Sequence, residues 1–433
     1  MKLLTALFIP LFLSQGATAD DWPHWMGPGR DNIWREEGIL ETLPKGNLKP
    51  LWKAKVAGGF SGPAVANGKV FLTDFVTTDQ VKVDNFSRKT FTGTERVLCL
   101  NEADGVLLWK HEYPVTTTVS YPSGPRCTPT VSGNKVYTLG AEGNLFCFDV
   151  ESGKIVWAKE FKQEYQTKSA LWGYASHPLL DGNKLICTVG GEGSHTVAFH
   201  KDTGKEIWRS QNAKDQGYCP PSIITAGGVR QLIIGHTNAI GSLDPETGRE
   251  HWLVPYGATI GSVIMTPVHA GEHLFFGAFS HNNLLIKLAA DKPAAEVVWK
   301  NLPRAGMSPV NVQPILDGPM LYGVDQNGEL MGVELPSGKR LWATPRPIGN
   351  RMADSGTAFI VRHGKHYFFF VETGHLVTGT LTPKGFTETS RAFLLEPTNN
   401  AYGRSVVWCA PAFANKRIYV RNDKELACFA LGK

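Results

Sequence analysis

Tryptophan recurs along this chain at near-even spacing, at Trp52, Trp109, Trp157, Trp208, Trp252, Trp299 and Trp342, with steps of 57, 48, 51, 44, 47 and 43 residues. Most of these residues end the same pattern: an apolar strand, an Asp or its equivalent, a Thr/Ser-Gly-Lys turn and a short strand closing on Trp. Leu145–Trp157, Val197–Trp208, Ser242–Trp252 and Val333–Trp342 are the clearest copies, and Cys99–Trp109 is degenerate. A self-similar unit of 40–50 residues, rich in short strands, is the signature of a β-propeller.

Each unit also has an upstream half in which apolar residues flank a Gly-Asn or Asp-Gly pair, as in Pro129–Tyr137 and Pro178–Ile186. Such a pair signals a hairpin. Each repeat therefore reads as four antiparallel strands, A to D. In the C–D turn, Gly supplies the positive φ, and Asp or Thr can bond the turn backbone. Upstream halves begin near Pro63, Pro129, Pro178, Pro221, Pro267, Pro314, Thr357 and Pro411, which makes eight units. The seventh lacks its Trp. The eighth stops at Leu426–Leu431 without a D strand, whereas Pro50–Lys55 is a D strand without partners before it. The expected fold is therefore all-β: an eight-bladed propeller over 50–433, closed by an N-terminal strand that completes the last blade. Closure removes exposed strand edges. The tryptophans are expected to pack between neighbouring sheets, each burying about 150–250 Å².

Residues 1–19 read as a signal peptide. Lys2 precedes the apolar run Leu3–Leu13, and Ala17-Thr18-Ala19 forms a small-residue cleavage site. The expected location is exported, periplasmic or secreted, with no membrane span and no lipid-anchor Cys after the run. Residues 20–49, with Trp22 and Trp25 near their start, form a lead-in expected to pack on the ring. Residues 75–96 are expected to be a long B–C loop of blade 1. The formal net charge of +5 over 433 residues is mild and no dense Lys/Arg tract occurs, so nucleic-acid binding is not indicated. An odd number of cysteines, seven, leaves at least one unpaired; Cys99, Cys147, Cys187 and Cys428 read as small buried residues.

Propeller topology places the long D–A crossovers and the B–C loops on one face, around the mouth of the axial channel. The crossovers carry Tyr121, Pro122 and Arg126 before blade 2, and Trp172, Tyr174 and His177 before blade 3. Tyr218 and Cys219 precede blade 4, Met265 blade 5, and Met307 and Asn311 blade 6. Arg351 and Asp354 precede blade 7, and Tyr402, Arg404 and Trp408 precede blade 8. The candidate ligand-binding set is Arg126, Trp172, Tyr174, His177, Tyr218, Arg351, Asp354, Arg404 and Trp408. Arg forks suit carboxylates or phosphates, and aromatic faces suit planar or sugar-like ligands. The bland alternative has the aromatics filling the funnel and Arg351 pairing with Asp354. His195, His236, His281 and His375 recur on B–C loops, but loops of different blades are spread around the ring, so no metal ligand is assigned. There is no GxSxG, HExxH or Walker loop, and no catalytic residue is assigned.

The Asp-x-x-Thr-Gly-Lys-x-x-Trp repeat resembles the quinoprotein-like, pyrroloquinoline-quinone-type β-propeller family over essentially all of 50–433. The segments Trp22–Pro28 and Ala410–Asn422 are similar to exported single-propeller members from environmental bacteria. The resemblance implies two functional branches. Alcohol dehydrogenases bind the quinone on the axis with Ca²⁺ or a lanthanide, an Asp base, a Trp floor and a vicinal disulfide; the metal polarises the quinone while the base takes the alcohol proton. The vicinal Cys pair is absent here; Glu192 is the one position to align with a metal carboxylate, Trp172 or Trp408 with the floor and Asp354 with the base. The other branch is the non-catalytic outer-membrane-assembly propeller. The expectation is an exported, monomeric binding or scaffolding protein that takes a small molecule or an envelope protein at the channel mouth, with no assigned cofactor. The alternative is a PQQ-dependent dehydrogenase using Ca²⁺.

Overall fold

The computed structural model describes residues 20–81, 86–121, 123–213, 215–258, 263–302 and 304–433. The expected signal peptide and Pro122 lie outside the described residues. Eight four-stranded antiparallel sheets follow one another along the chain. Their A strands are Ala64–Ala66, Thr130–Ser132, Leu179–Asp181, Ser222–Ala226, Val268–Ala270, Ile315–Asp317, Ala358–His363 and Ala412–Ala414, each starting within two residues of its expected position. The last blade takes its D strand from Trp52–Lys55, which pairs with Glu425–Ala430 in the register Trp52↔Cys428 and Ala54↔Leu426.

The recurrent tryptophan acts on the next blade. The Nε1–H of Trp109 donates to Val150 O at 2.9 Å, that of Trp157 to Lys201 O at 2.9 Å and that of Trp299 to Pro336 O at 2.9 Å. Each acceptor belongs to the C–D turn of the following blade. Within its own blade, each Trp faces a C-strand residue that is usually small: Cys99 opposite Trp109, Cys147 opposite Trp157, Ala198 opposite Trp208 and Cys428 opposite Trp52. A bulge beside this pair shifts the C–D register in blades 1 to 6, and blade 7, without the Trp, has one between Thr378 and Gly379; each adds twist to the outer strand. All seven cysteines are buried and free.

Two local features differ from the sequence expectation. The blade 1 insertion is shorter than 75–96, because Phe91–Asn101 and Leu107–Thr117 form an extended hairpin paired from Phe91↔Thr117 inward. The Thr-rich stretch satisfies its backbone as a strand. Between blades 7 and 8 the crossover forms a small hairpin of its own, Asn399–Ala401 with Arg404–Val406.

The lead-in crosses the ring. Trp22 exchanges backbone hydrogen bonds with Val65 of blade 1, and Pro23 O accepts from Val131 N of blade 2. Arg30 Nη1 donates to Pro178 O beside blade 3, Trp34 N to Arg362 O in blade 7, and Leu40 N to Leu431 O in blade 8. Trp22 and Trp34 are 2% and 1% exposed and join the Phe413 cluster. Trp22, Trp25 and Met26 share a pocket of about 40 Å³ with Met265, Val312 and Ile360 of the opposite blades. The channel is thus stoppered by the chain's own N-terminal segment.

Candidate functional site

The crossovers are pinned by buried acids at the ends of B strands or in B–C loops. Asp74 Oδ2 accepts from Ala57 N at 2.7 Å, Glu142 Oε1 from Thr118 N at 2.5 Å, Asp325 Oδ1 from Ser308 N at 2.6 Å and Glu372 Oε2 from Thr357 N at 3.0 Å. A carboxylate that accepts a backbone N–H fixes the loop where no strand partner exists. The sequence carries a signal for these acids that the nine candidates do not include, an apolar B strand ending in a lone acid such as Phe370-Val371-Glu372.

These loops enclose a funnel of about 200 Å³ on the axis, open at the long-loop face. Of the nine candidate residues, Arg126, Trp172, His177, Tyr218 and Trp408 line it. The other four do not. Tyr174 is buried between blades 2 and 3, packed on Phe161 with its hydroxyl donating to Val189 O at 3.0 Å. Arg351 and Asp354 are exposed outside the funnel. Arg404 turns to the rim, where its Nε donates to Glu372 Oε1 at 2.7 Å and its Nη2 to Asp354 O at 2.7 Å. The buried Glu372 out-competes the funnel for this guanidinium and also accepts from Trp408 Nε1 at 2.9 Å.

The floor of the funnel is Trp25 of the lead-in, stacked on His177 with centroids 4.5 Å apart and planes 4° from parallel. Phe60, Phe279 and Phe359 complete the walls, and Phe86 brings the blade 1 insertion to the mouth, 6.3 Å from Trp172. Arg88 holds that insertion over the mouth by donating to Thr118 O and Ser169 O. Tyr218 sets Trp172 in place, since its hydroxyl accepts from Trp172 N at 3.1 Å and the rings lie 5.3 Å apart. Phe60 precedes blade 1, a crossover hidden in the sequence because it starts from the closing strand.

The lining is aromatic and apolar with a few polar groups. Burial pushes the Arg126 guanidinium down to about 10, against the opposing pull of Glu95 and Glu142. Burial, with Arg30 and His24 nearby, holds His177 well below the usual imidazole range, so the ring is neutral at neutral pH. No Asp or Glu is among the lining residues. Glu192 is exposed on its B–C loop, away from the funnel. His195 and His236 do approach, with centroids 4.9 Å apart, but His195 is bonded to Thr196 and Gln216 O. Among the described residues no three His, Cys, Asp or Glu converge as a metal group would need. A hard divalent cation takes six to eight oxygen ligands, largely carboxylate. The funnel's residues do not fit a metal-assisted quinone.

A family model described as outer membrane protein assembly factor BamB matches residues 93–344. The BamB of Shewanella oneidensis is 24% identical over 259 residues, 54% of this chain and 61% of that protein. A quinoprotein ethanol dehydrogenase of Pseudomonas aeruginosa is 24% identical over 231 residues, 49% of this chain and 37% of that enzyme. The chain thus spans less than two thirds of either relative. The crystal structure of BamB from Moraxella catarrhalis superposes with a TM-score of 0.57 at 14% identity, covering 88% of this chain and 97% of that one. The quinohemoprotein alcohol dehydrogenase of Comamonas testosteroni gives 0.58 at 12% identity, covering 96% and 81%. Both structural likenesses speak to the propeller alone. With the family model matching more than half of its length, the chain belongs to the family of outer membrane protein assembly factor BamB.

Proposed function

We propose that this chain is an exported, non-catalytic binding or scaffolding module whose binding site is the axial funnel on the long-loop face. The observation that carries the reading is the make-up of the funnel: a stoppered, aromatic cavity without a carboxylate in its lining. Such a cavity offers contact area and a few orienting donors, the usual composition of a binding site, and no carboxylate base, while the one lining imidazole, His177, already accepts from Thr128 N. Export rests on the sequence of residues 1–19; among the described residues no helix is long and apolar enough to cross a membrane. BamB relatives, named for outer-membrane protein assembly, favour an envelope partner.

The test pairs two measurements. Purified protein is mixed with pyrroloquinoline quinone and Ca²⁺ and followed for alcohol-dependent dye reduction, which is expected to stay at blank level. Immobilised protein is then presented with envelope extract beside a Trp172→Ala/Trp408→Ala variant that retains the native unfolding temperature. Partners held by the native protein and lost by the variant support the module reading. Dye reduction with alcohol replaces it with the dehydrogenase.

A further inference from the structure

The polar groups at the funnel floor have a definite sense. His177 Nδ1 accepts from Thr128 N at 3.1 Å, which places the proton of this neutral ring on Nε2. One face of the ring is covered by Trp25. The Nε2–H edge is left on the cavity wall as a donor. Thr128 lies two residues after Arg126, so the crossover that carries the guanidinium also holds the imidazole of the next crossover. Arg126 donates to Gly124 O, Ser120 O and Tyr121 O, and its face lies 5.2 Å from the Phe60 ring. Those bonds go to carbonyls, and a guanidinium has five N–H groups. Behind Trp25 stands a second guanidinium, Arg30, 5.8 Å from that ring. It bonds Pro178 O, and its Nη2 is enclosed without a partner. Burial lowers both arginines to about 10, still far above neutral pH, so both are charged.

Two part-buried cations hydrogen-bonded to carbonyls rather than carboxylates, a neutral N–H donor and a lining without Asp or Glu favour negative charge in the cavity, although Glu95 and Glu142 lie behind Arg126. Cation recognition by the aromatic cage is disfavoured by the same charges. Deepening the binding-site reading above, and resting on it, the geometry points to an aromatic carboxylate as the ligand class: the ring lies among Trp172, Tyr218 and Trp408, and the carboxylate accepts from His177 Nε2–H in the field of the two guanidinium groups. The same chemistry is carried by a free aromatic acid and by the C-terminal Phe or Trp of a polypeptide. No metal takes part.

Titration calorimetry at pH 7 with 2-naphthoate and its neutral isostere 2-naphthamide tests this. The acid is expected to bind at least tenfold more tightly than the amide. His177→Phe keeps the stacking on Trp25 and is expected to abolish that preference. His177→Gln, which can accept and donate, restores part of it, and Trp172→Ala weakens both ligands together. Because His177 is neutral, the acid's affinity stays flat between pH 6 and 8; strengthening below pH 6.5 would overturn the assigned tautomer and the proposal with it. The peptide Gly-Gly-Gly-Phe with a free or amidated C-terminus separates the sources: preference for the free form assigns a chain end, and its absence beside naphthoate binding assigns a small acid. Equal affinity for acid and amide overturns the carboxylate and leaves the funnel as a binding site. Absence of heat with both ligands overturns the proposal, while the module reading is still decided by the Trp172/Trp408 capture comparison.

Discussion

The indole of Trp109 lies on Gly153 of the next blade, so closely that a Cβ on that glycine would stand 2.6 Å from the ring. Gly153 also has φ +67°, and it belongs to the turn whose Val150 carbonyl accepts the indole N–H. The Trp and the Gly of the repeat are therefore one contact, made across the blade boundary. The same contact recurs between Trp52 and Gly105, Trp157 and Gly204, and Trp208 and Gly248.

Gly153→Ala is accordingly expected to cost more than Gly133→Ala. Both glycines have positive φ, at about 1–2 kcal/mol for any L-residue, but a Cβ on Gly133 meets nothing within 4 Å. Displacing the Trp109 ring adds a packing loss of about 1–3 kcal/mol. Urea unfolding of the two variants checks the difference; equal costs would show that the ring yields freely.

Much of this architecture was legible in the residues and some was not, for physical reasons. Blade count and ring closure follow from strand periodicity and turn chemistry, which are local. Blade 5 shows the limit of the pattern. Its C–D turn, Ala289–Ala294, has no glycine, and Trp252 of blade 4 donates instead to Gln231 Oε1 at 2.9 Å within its own blade. At the site, five of nine candidates meet, and buried acids hold two of their crossovers: Glu142 fixes the one carrying Arg126 through Thr118 N, and Glu372 accepts from Trp408 itself. Arg404 and Tyr174 depart from the expected lining because the choice between cavity and core depends on which buried partner is nearer, Glu372 for one and Phe161 for the other. Trp25 is legible as part of a lead-in packed on the ring but not as the funnel floor, since its partner His177 lies 152 positions away in the chain.

The cysteines are expected to be silent in the folded protein. Burial pushes the Cys99, Cys147, Cys219, Cys409 and Cys428 thiols up to about 12 and raises Cys127 and Cys187 as well. Reactivity follows the thiolate. A chromogenic disulfide reagent at pH 8 should release less than one equivalent within minutes from native protein and seven in denaturant. The unfolding midpoint should be the same with and without reductant.

Two sets of buried groups make stability depend on pH in opposite senses. Burial lowers His195 to about 3 and His236 to about 4. Between those values and the ordinary 6.5 the unfolded chain binds more protons, so their contribution is present above 6.5 and is lost as pH falls through the window. Burial raises Glu95 to about 7, despite hydrogen bonds from Tyr113 and Ala141 N. Its contribution is complete below the ordinary value near 4.5 and is lost as pH rises through 7. Glu95→Gln removes the second effect. The variant's unfolding free energy relative to the native protein should therefore rise between pH 5 and pH 8, by on the order of 3 kcal/mol. Urea titrations at the two pH values measure it; a constant difference would mean that Glu95 is ionised in the fold throughout.

Ring closure is open to the same kind of test at Trp52. This residue is both the closing strand's partner for Cys428 and a contact of the next blade, where its Nε1–H donates to Glu102 O at 2.9 Å. Tyr419 lies 6.0 Å from its ring and Gly105 beneath it. Trp52→Ala removes the indole from the one seam where the two chain ends meet, at an expected cost of about 3–5 kcal/mol. Trp342 is less enclosed, lying 5.9 Å from Tyr322 with its Nε1–H donating to Thr382 O, and Trp342→Ala should cost less. Loss at the seam should also free the edge of Glu425–Ala430, which a sheet edge of another molecule can pair. Size-exclusion chromatography at rising temperature should therefore show Trp52→Ala associating before Trp342→Ala does. Association in the reverse order would place the weak point of the ring elsewhere than at its closing strand.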